Sequence, residues 1–244
     1  MIVVVLPAYN EASCLGDLLN DFHEEFEEER KQFHIILVND GSTDRTEAVA
    51  QGFKGTVDLE VITHQKNKGL AEAIKTGLMR AAETCSERDV IITMDADNSH
   101  LPGLIFRMAR MIREGNDVVI ASRYQKGAKI KGLSFYRKLL SFVGALLFRI
   151  TFPMQGVRDF TCGYRAYRAS LLKRAFKEYG EEFISEPGFS CMVDILLKIR
   201  KYEPIVSEVP IILRYDQKIS ASKMNVGETI VQTLRLMLKR RLGI

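Results

Sequence analysis

Asp95-Ala96-Asp97 sets two carboxylates one residue apart, directly after an apolar run at 90–94. Oxygen ligands of this kind suit a hard divalent cation such as Mg²⁺ or Mn²⁺. A cation held there can bridge a diphosphate and neutralise the charge that builds as it leaves. The triplet also fits a solvated turn with helix-capping aspartates, but its position after a buried strand favours the metal-binding reading. A second polar cluster, Asn39-Asp40-Gly41-Ser42-Thr43-Asp44, follows the run at 34–38. Gly41 can take the positive φ of a tight turn, and Ser42 or Thr43 can cap the next helix. Asp40 is left without a structural task, and its carboxylate can accept the N–H of a nucleobase. In a third cluster, after the run at 2–6, Tyr9 offers a stacking ring and Glu11 an acceptor for ribose hydroxyls. A turn with Glu11 opening a helix accounts for those two residues equally well.

The elements that must position these clusters are legible from patterning. Runs at 2–6, 34–38, 59–63, 90–94 and 118–121 are rich in Val and Ile and mostly lack polar alternation, as strands covered on both faces do. Stretches at 13–30, 43–53, 70–85 and 101–113 between them have the length and spacing of amphipathic helices. Strands alternating with helices predict an α/β domain around a mostly parallel sheet, whose ligands sit at the carboxyl ends of the strands. After 121 the rhythm changes. Residues 122–134 read as a basic, mobile loop, 135–152 as a helix and 159–168 as a turn and strand. A helix near 189–201, a strand at 205–212 and an amphipathic helix from 225 follow. The whole chain reads as one domain over 1–244, with a substrate-specific second half from 122.

Composition is consistent with this. At 244 residues, 46% hydrophobic and 27% charged, the chain has the balance of a folded globular protein. A net charge of +4 is too small to argue for nucleic acid as a partner. Cys14, Cys85, Cys162 and Cys191 are widely spaced, with no CxxC pair, which predicts reduced thiols and a cytoplasmic setting. The apolar stretch at 139–154 contains Arg149 and Pro153 and falls short of the roughly 20 residues a bilayer span needs, so no spanning segment is expected.

Taken together, PAYNE, VNDGSTDRT, HQKNKGLAEA and MDADNSH, in that order, resemble family 2 glycosyltransferases of the GT-A fold. Ser122-Arg123-Tyr124, Arg137 with Ser141, the 159–167 segment DFTCGYRAY, Glu208-Val209-Pro210-Ile211 and Ser222-Lys223 look like the dolichol-phosphate mannosyltransferase branch. The resemblance implies that Pro7, Tyr9, Glu11, Val38 and Asp40 hold the nucleoside. It implies further that Asp95, Ala96 and Asp97 hold the diphosphate and an Mg²⁺ or Mn²⁺ ion, with Ser99 as another polar ligand. Arg123, Arg137 and Ser141 would receive the acceptor's phosphate, and Lys223 the donor's. Asn39 departs from the aspartate usual in its turn, Asp194 stands where relatives tend to carry Glu, and Arg214 and Lys218 compete for one arginine role.

The activity this implies is inverting transfer of a hexose, mannose or glucose, from a GDP- or UDP-sugar to a polyprenyl or dolichyl phosphate. Such a phosphate is already ionised near neutral pH, its second pKa being about 6. It needs cations that align it with the anomeric carbon more than a strong base. His100 is therefore expected to orient its loop. A glycan or diacylglycerol acceptor, or a nucleotide-sugar-binding protein without turnover, are the rival readings. Val226, Ile230, Leu234, Met237 and Leu238 line one helical face beside Lys239-Arg240-Arg241, which predicts peripheral attachment to the cytoplasmic face of a membrane.

Overall fold

The computed structural model describes residues 1–132 and 135–214, with the backbone alone described for 135–140. The expected strands form as β1 (Ile2–Ala8), β2 (Phe33–Asn39), β3 (Leu59–Thr63), β4 (Val90–Thr93) and β5 (Val118–Ser122). Short strands β6 (Lys129–Lys131), β7 (Arg165–Arg168), β8 (Val206–Pro210) and β9 (Ile212–Arg214) follow. Seven strands make one sheet in the order β3-β2-β1-β4-β7-β5-β8, and β6 pairs with β9 beside it. All neighbours in the large sheet run parallel except β7, which is antiparallel to both β4 and β5. Both halves of the chain thus supply strands to one sheet.

Burial explains why the apolar runs lack alternation. Val3, Val4, Val5, Ile35, Ile36, Val118 and Val119 are all fully buried, because helices cover both faces of the sheet. Helix α1 (Ala12–Glu28) buries Leu15, Leu18, Leu19, Phe22 and Phe26, one stripe at the 3.6-residue period. Phe26 packs against Phe33 and Phe106 at 4.0 and 4.6 Å between ring centroids. Helices α2 (Thr46–Gly52), α3 (Leu70–Thr84) and α4 (Leu104–Arg113) connect the following strands. Gly77 on α3 is required by close approach, since a Cβ there would lie 2.3 Å from Val5 Cγ1.

The second half departs from expectation in three places. The 122–134 segment contains strand β6, tied to β9 by the Lys129↔Ile212 register. The strand expected at 205–212 is divided into β8 and β9. Between them the Ile211 N–H donates to the Ser122 carbonyl and its own carbonyl accepts from Lys129. A helix that the patterning left unassigned, α6 (Ala169–Tyr179), follows β7 directly. Helices α5 (Phe135–Thr151) and α7 (Ser190–Ile199) form where expected. The helix expected from 225 lies outside the described residues. Among the described residues, no helix is long and apolar enough to cross a membrane.

Candidate active site

The carboxyl ends of β1, β2 and β4 lie side by side, so their three loops share one sheet edge. Hydrogen bonds lock the first two loops together. The Asn10 N–H donates to Ser42 Oγ at 2.9 Å, the Glu11 N–H to Thr46 Oγ1 at 2.8 Å, and the Thr43 N–H to Asn10 Oδ1 at 2.8 Å. Ser42 and Thr43 therefore bridge loops instead of capping α2, and the helix opens later, at Thr46, whose N–H donates to Asp44 Oδ1 at 2.9 Å. Asn39 uses both ends of its amide, accepting from the Ser42 N–H and donating to Glu47. An aspartate could not make the second bond, which gives the departure at 39 a physical reason.

Asp40 does have a structural task, contrary to the expectation from sequence. Its Oδ1 meets His64 Nδ1 at 2.7 Å and accepts the Lys68 N–H at 2.9 Å, while Oδ2 accepts the Gly69 N–H at 2.8 Å. His64 Nε2 reaches Thr76 Oγ1 at 3.0 Å. The carboxylate pins the 64–69 loop over the end of β2, and about one of its four lone-pair positions is left for a ligand. Gly41, at φ 65°, fits beneath that loop, where a Cβ would lie 2.4 Å from the Lys66 backbone. Tyr9 and Pro7 are half-buried and Glu11 is buried on the neighbouring loop. Val38 is fully buried, and its side chain packs toward Gly77.

At the third loop, Asp97 Oδ1 accepts from the Ser99 N–H at 3.0 Å and from Ser99 Oγ at 2.5 Å. Ser99, expected as a ligand in its own right, orients Asp97. The Asp95 N–H lies 3.4 Å from His100 Nδ1, and the His100 ring packs on Tyr164 at 5.0 Å. Gly163 lies against Asp95, since a Cβ there would fall 3.5 Å from Oδ1, and its carbonyl accepts from Thr93 Oγ1 at 2.6 Å. Cys14 ties the first loop to the third through Glu11 Oε2 at 3.3 Å and the Ala96 carbonyl at 3.7 Å. Burial, with Glu11 and Asp97 nearby, pushes its thiol up to about 12. It stays protonated, so the donors around Asp95 and Asp97 are hard oxygens that fit Mg²⁺ or Mn²⁺. Among the described residues no cluster of three or more His, Cys, Asp or Glu side chains forms a closed metal cage. Asp95 and Asp97 would hold such a cation, with phosphate and water completing its ligands, as is usual for Mg²⁺.

Beside this edge, Arg123 and Asp159 form a buried pair. Arg123 donates its backbone N–H and Nε to Asp159 Oδ2 at 3.0 and 2.8 Å, and Nη2 to Oδ1 at 2.7 Å. Nη2 also reaches Thr161 Oγ1 at 2.5 Å, which leaves Nη1 outside these bonds. Burial opposes both charges, yet the ion pair wins: Asp159 is held below the ordinary carboxylate range and Arg123 well above its usual value. The neighbouring Tyr124 hydroxyl contacts Ser141 Oγ at 2.7 Å and donates to the Ser141 carbonyl at 2.8 Å, which fixes α5 against this loop. Arg137 lies one turn earlier on α5, described by its backbone only. Lys218 and Lys223 lie outside the described residues. The Arg214 N–H donates to the Ser99 carbonyl at 3.0 Å, which brings β9 to the third loop. His64, Tyr124, Asp159 and Gly163 all stand in motifs legible in the sequence, but the partners described above are 12 to 70 positions away and no local pattern names them.

A mostly parallel α/β sheet with acidic loops at the carboxyl ends of β1, β2 and β4 gathers those loops where such folds bind ligands. The chain belongs to glycosyl transferase family 2, whose model matches residues 3–176. It is 33% identical over 233 residues to a dolichol-phosphate mannosyltransferase of Pyrococcus furiosus, covering 95% of this chain and 61% of that protein. The chain thus spans about three fifths of that relative's length. It is 30% identical to an undecaprenyl-phosphate mannosyltransferase of Micrococcus luteus, over 98% of this chain and 95% of the other. In fold it matches glucosyl-3-phosphoglycerate synthase of Mycobacterium tuberculosis, solved with Mn²⁺ and UDP. That match has a TM-score of 0.67 and 18% identity, and it covers 100% of this chain and 80% of the other.

Proposed function

We propose that this protein transfers a hexose, mannose or glucose, from a GDP- or UDP-sugar to a polyprenyl or dolichyl phosphate with inversion. The observation that carries the reading is the convergence of Glu11, Asp40, Asp95 and Asp97 on one sheet edge, with Arg123 and the Tyr124–Ser141 contact beside it. Tyr9 and Glu11 bind the nucleoside, and the remaining lone pair of Asp40 meets the base. Asp95 and Asp97 hold Mg²⁺ or Mn²⁺, and the ion supplies charge neutralisation at the diphosphate. Arg123 Nη1, Arg137 and Ser141 steer the acceptor phosphate in line behind the sugar, where the incoming oxygen needs orientation more than deprotonation. Asp159 and Tyr124 keep Arg123 and Ser141 in place. The relatives that act on lipid phosphates support this acceptor over a glycan or a diacylglycerol.

The test is incubation with a panel of radiolabelled nucleotide sugars and a short polyprenyl phosphate, followed by lipid extraction. One labelled sugar should enter the lipid fraction in the presence of Mg²⁺ or Mn²⁺. Asp97→Ala should abolish this while leaving the melting temperature nearly unchanged, because one of two protein ligands to the ion is gone. Transfer by the variant within a few-fold of wild type at saturating Mn²⁺ refutes the metal assignment. Label in water or on a glycan in place of the lipid refutes the acceptor.

A further inference from the structure

Two cavities border α5, and they share Arg149 and Arg158. The smaller, of about 370 Å³, is walled by Tyr124 and by Phe142, Ala145 and Leu146 of α5. The larger, of about 690 Å³, lies between the end of α5 and the edge strand β8, and Gln125 and Glu208 line it. Glu208 Oε1 accepts the N–H groups of Arg158 and Asp159 at 2.6 and 2.7 Å, while Oε2 is buried with no hydrogen-bond partner among the described residues. Among the described residues the Arg158 head bonds to Gln125 Oε1, at 3.5 Å, and neither Arg149 nor Arg158 has a carboxylate partner. Arg149 lies two turns, or about 12 Å, along the helix from Ser141, so this is a second basic position and not the acceptor-phosphate position.

The outer face of the same helix is apolar and open. Phe142, Val143, Leu146, Leu147 and Ile150 are exposed, Ile150 at 70%, while Ala145, Phe148 and Phe152 are buried against the domain. At 100° per residue, Arg149 projects at the flank of the exposed stripe, above Phe142. A guanidinium there can lie level with phosphates while the stripe enters the acyl layer.

We propose that this groove seats the phosphate of an anionic membrane phospholipid between Arg149 and Arg158, with the acyl chains along Phe142, Leu146 and Ile150. Two guanidiniums without carboxylate partners among the described residues supply charge and planar donors for a phosphodiester, and the contiguous apolar stripe supplies the membrane contact. The site goes beyond the transferase reading and does not depend on it, because it is tested by binding alone.

The experiment is cosedimentation of the full chain with vesicles of phosphatidylcholine alone or with one fifth phosphatidylglycerol, at low and moderate salt. The wild type should prefer the anionic vesicles. Arg149→Gln with Arg158→Gln should lower affinity for them about thirtyfold, each cation near the surface contributing about fivefold. Lys54→Gln with Lys177→Gln, exposed lysines on other elements, removes the same charge and should cost only a few-fold. Equal losses in the two double variants would make the attraction diffuse and overturn the site. Undiminished anionic preference in the arginine variant would place membrane attachment elsewhere and overturn it equally. Unchanged melting temperatures establish that each variant is folded, and Arg149→Lys with Arg158→Lys should restore part of the affinity through charge.

Discussion

Asp159→Asn tests the organisation of the basic side of the cleft. The substitution keeps the shape of the side chain and removes its charge. Asp159 accepts three bonds from Arg123 and one each from the Thr161 and Cys162 N–H groups, at 3.3 and 3.1 Å. Its side chain is fully buried and that of Arg123 is 17% exposed. Removing one member of such a pair leaves the other charge buried without compensation, which costs about 3–5 kcal/mol. For a domain of this size that is a fall in melting temperature of roughly 6–20 °C. The folded carboxyl is depressed, so the pair's contribution is fully present above the unfolded value, about 3.9, and is lost as pH falls through the lower folded value. Chemical denaturation between pH 3 and 7 should therefore show wild type losing its advantage over Asp159→Asn at the acid end. Adding Arg123→Met to the variant should recover part of the loss, since the stranded charge is removed too. A melting point for Asp159→Asn within 2 °C of wild type at pH 7 refutes the argument, as does a gap between the two proteins that widens in acid.

Gly41→Ala should destabilise by about 2–4 kcal/mol, because φ is 65° and the new Cβ meets the Lys66 backbone at 2.4 Å; denaturant unfolding measures it. Arg137→Ala should slow transfer to polyprenyl phosphate at least tenfold while calorimetric donor affinity in Mg²⁺ stays within about twofold, as for one lost charge-assisted contact to phosphate. A parallel loss of donor binding would assign Arg137 to the diphosphate. The Cys14 thiol, held near 12 by burial, should resist maleimide at pH 8 in the native protein and react once the protein is unfolded in denaturant, as mass spectrometry can follow.

The first half of the fold was legible because parallel strands covered on both faces appear as unbroken Val/Ile runs, and each ends in a polar cluster. That pattern places Tyr9, Glu11, Asp40, Asp95 and Asp97 on one edge. Helix α6 carried apolar residues at helical spacing but follows β7 without an intervening turn, so no punctuation announced it. What only the tertiary structure decided is how the site is held. Asp40 is spent on His64 and the 68–69 backbone, Arg123 on an aspartate 36 positions away, and Ser141 on Tyr124. β7 enters the sheet antiparallel between β4 and β5, which brings Gly163 to Asp95. Periodicity and capping act over a few residues, so they specify elements and their ends. Which carboxylate meets which cation is set by strand order and desolvation across the sheet, and these have no local signature in the chain.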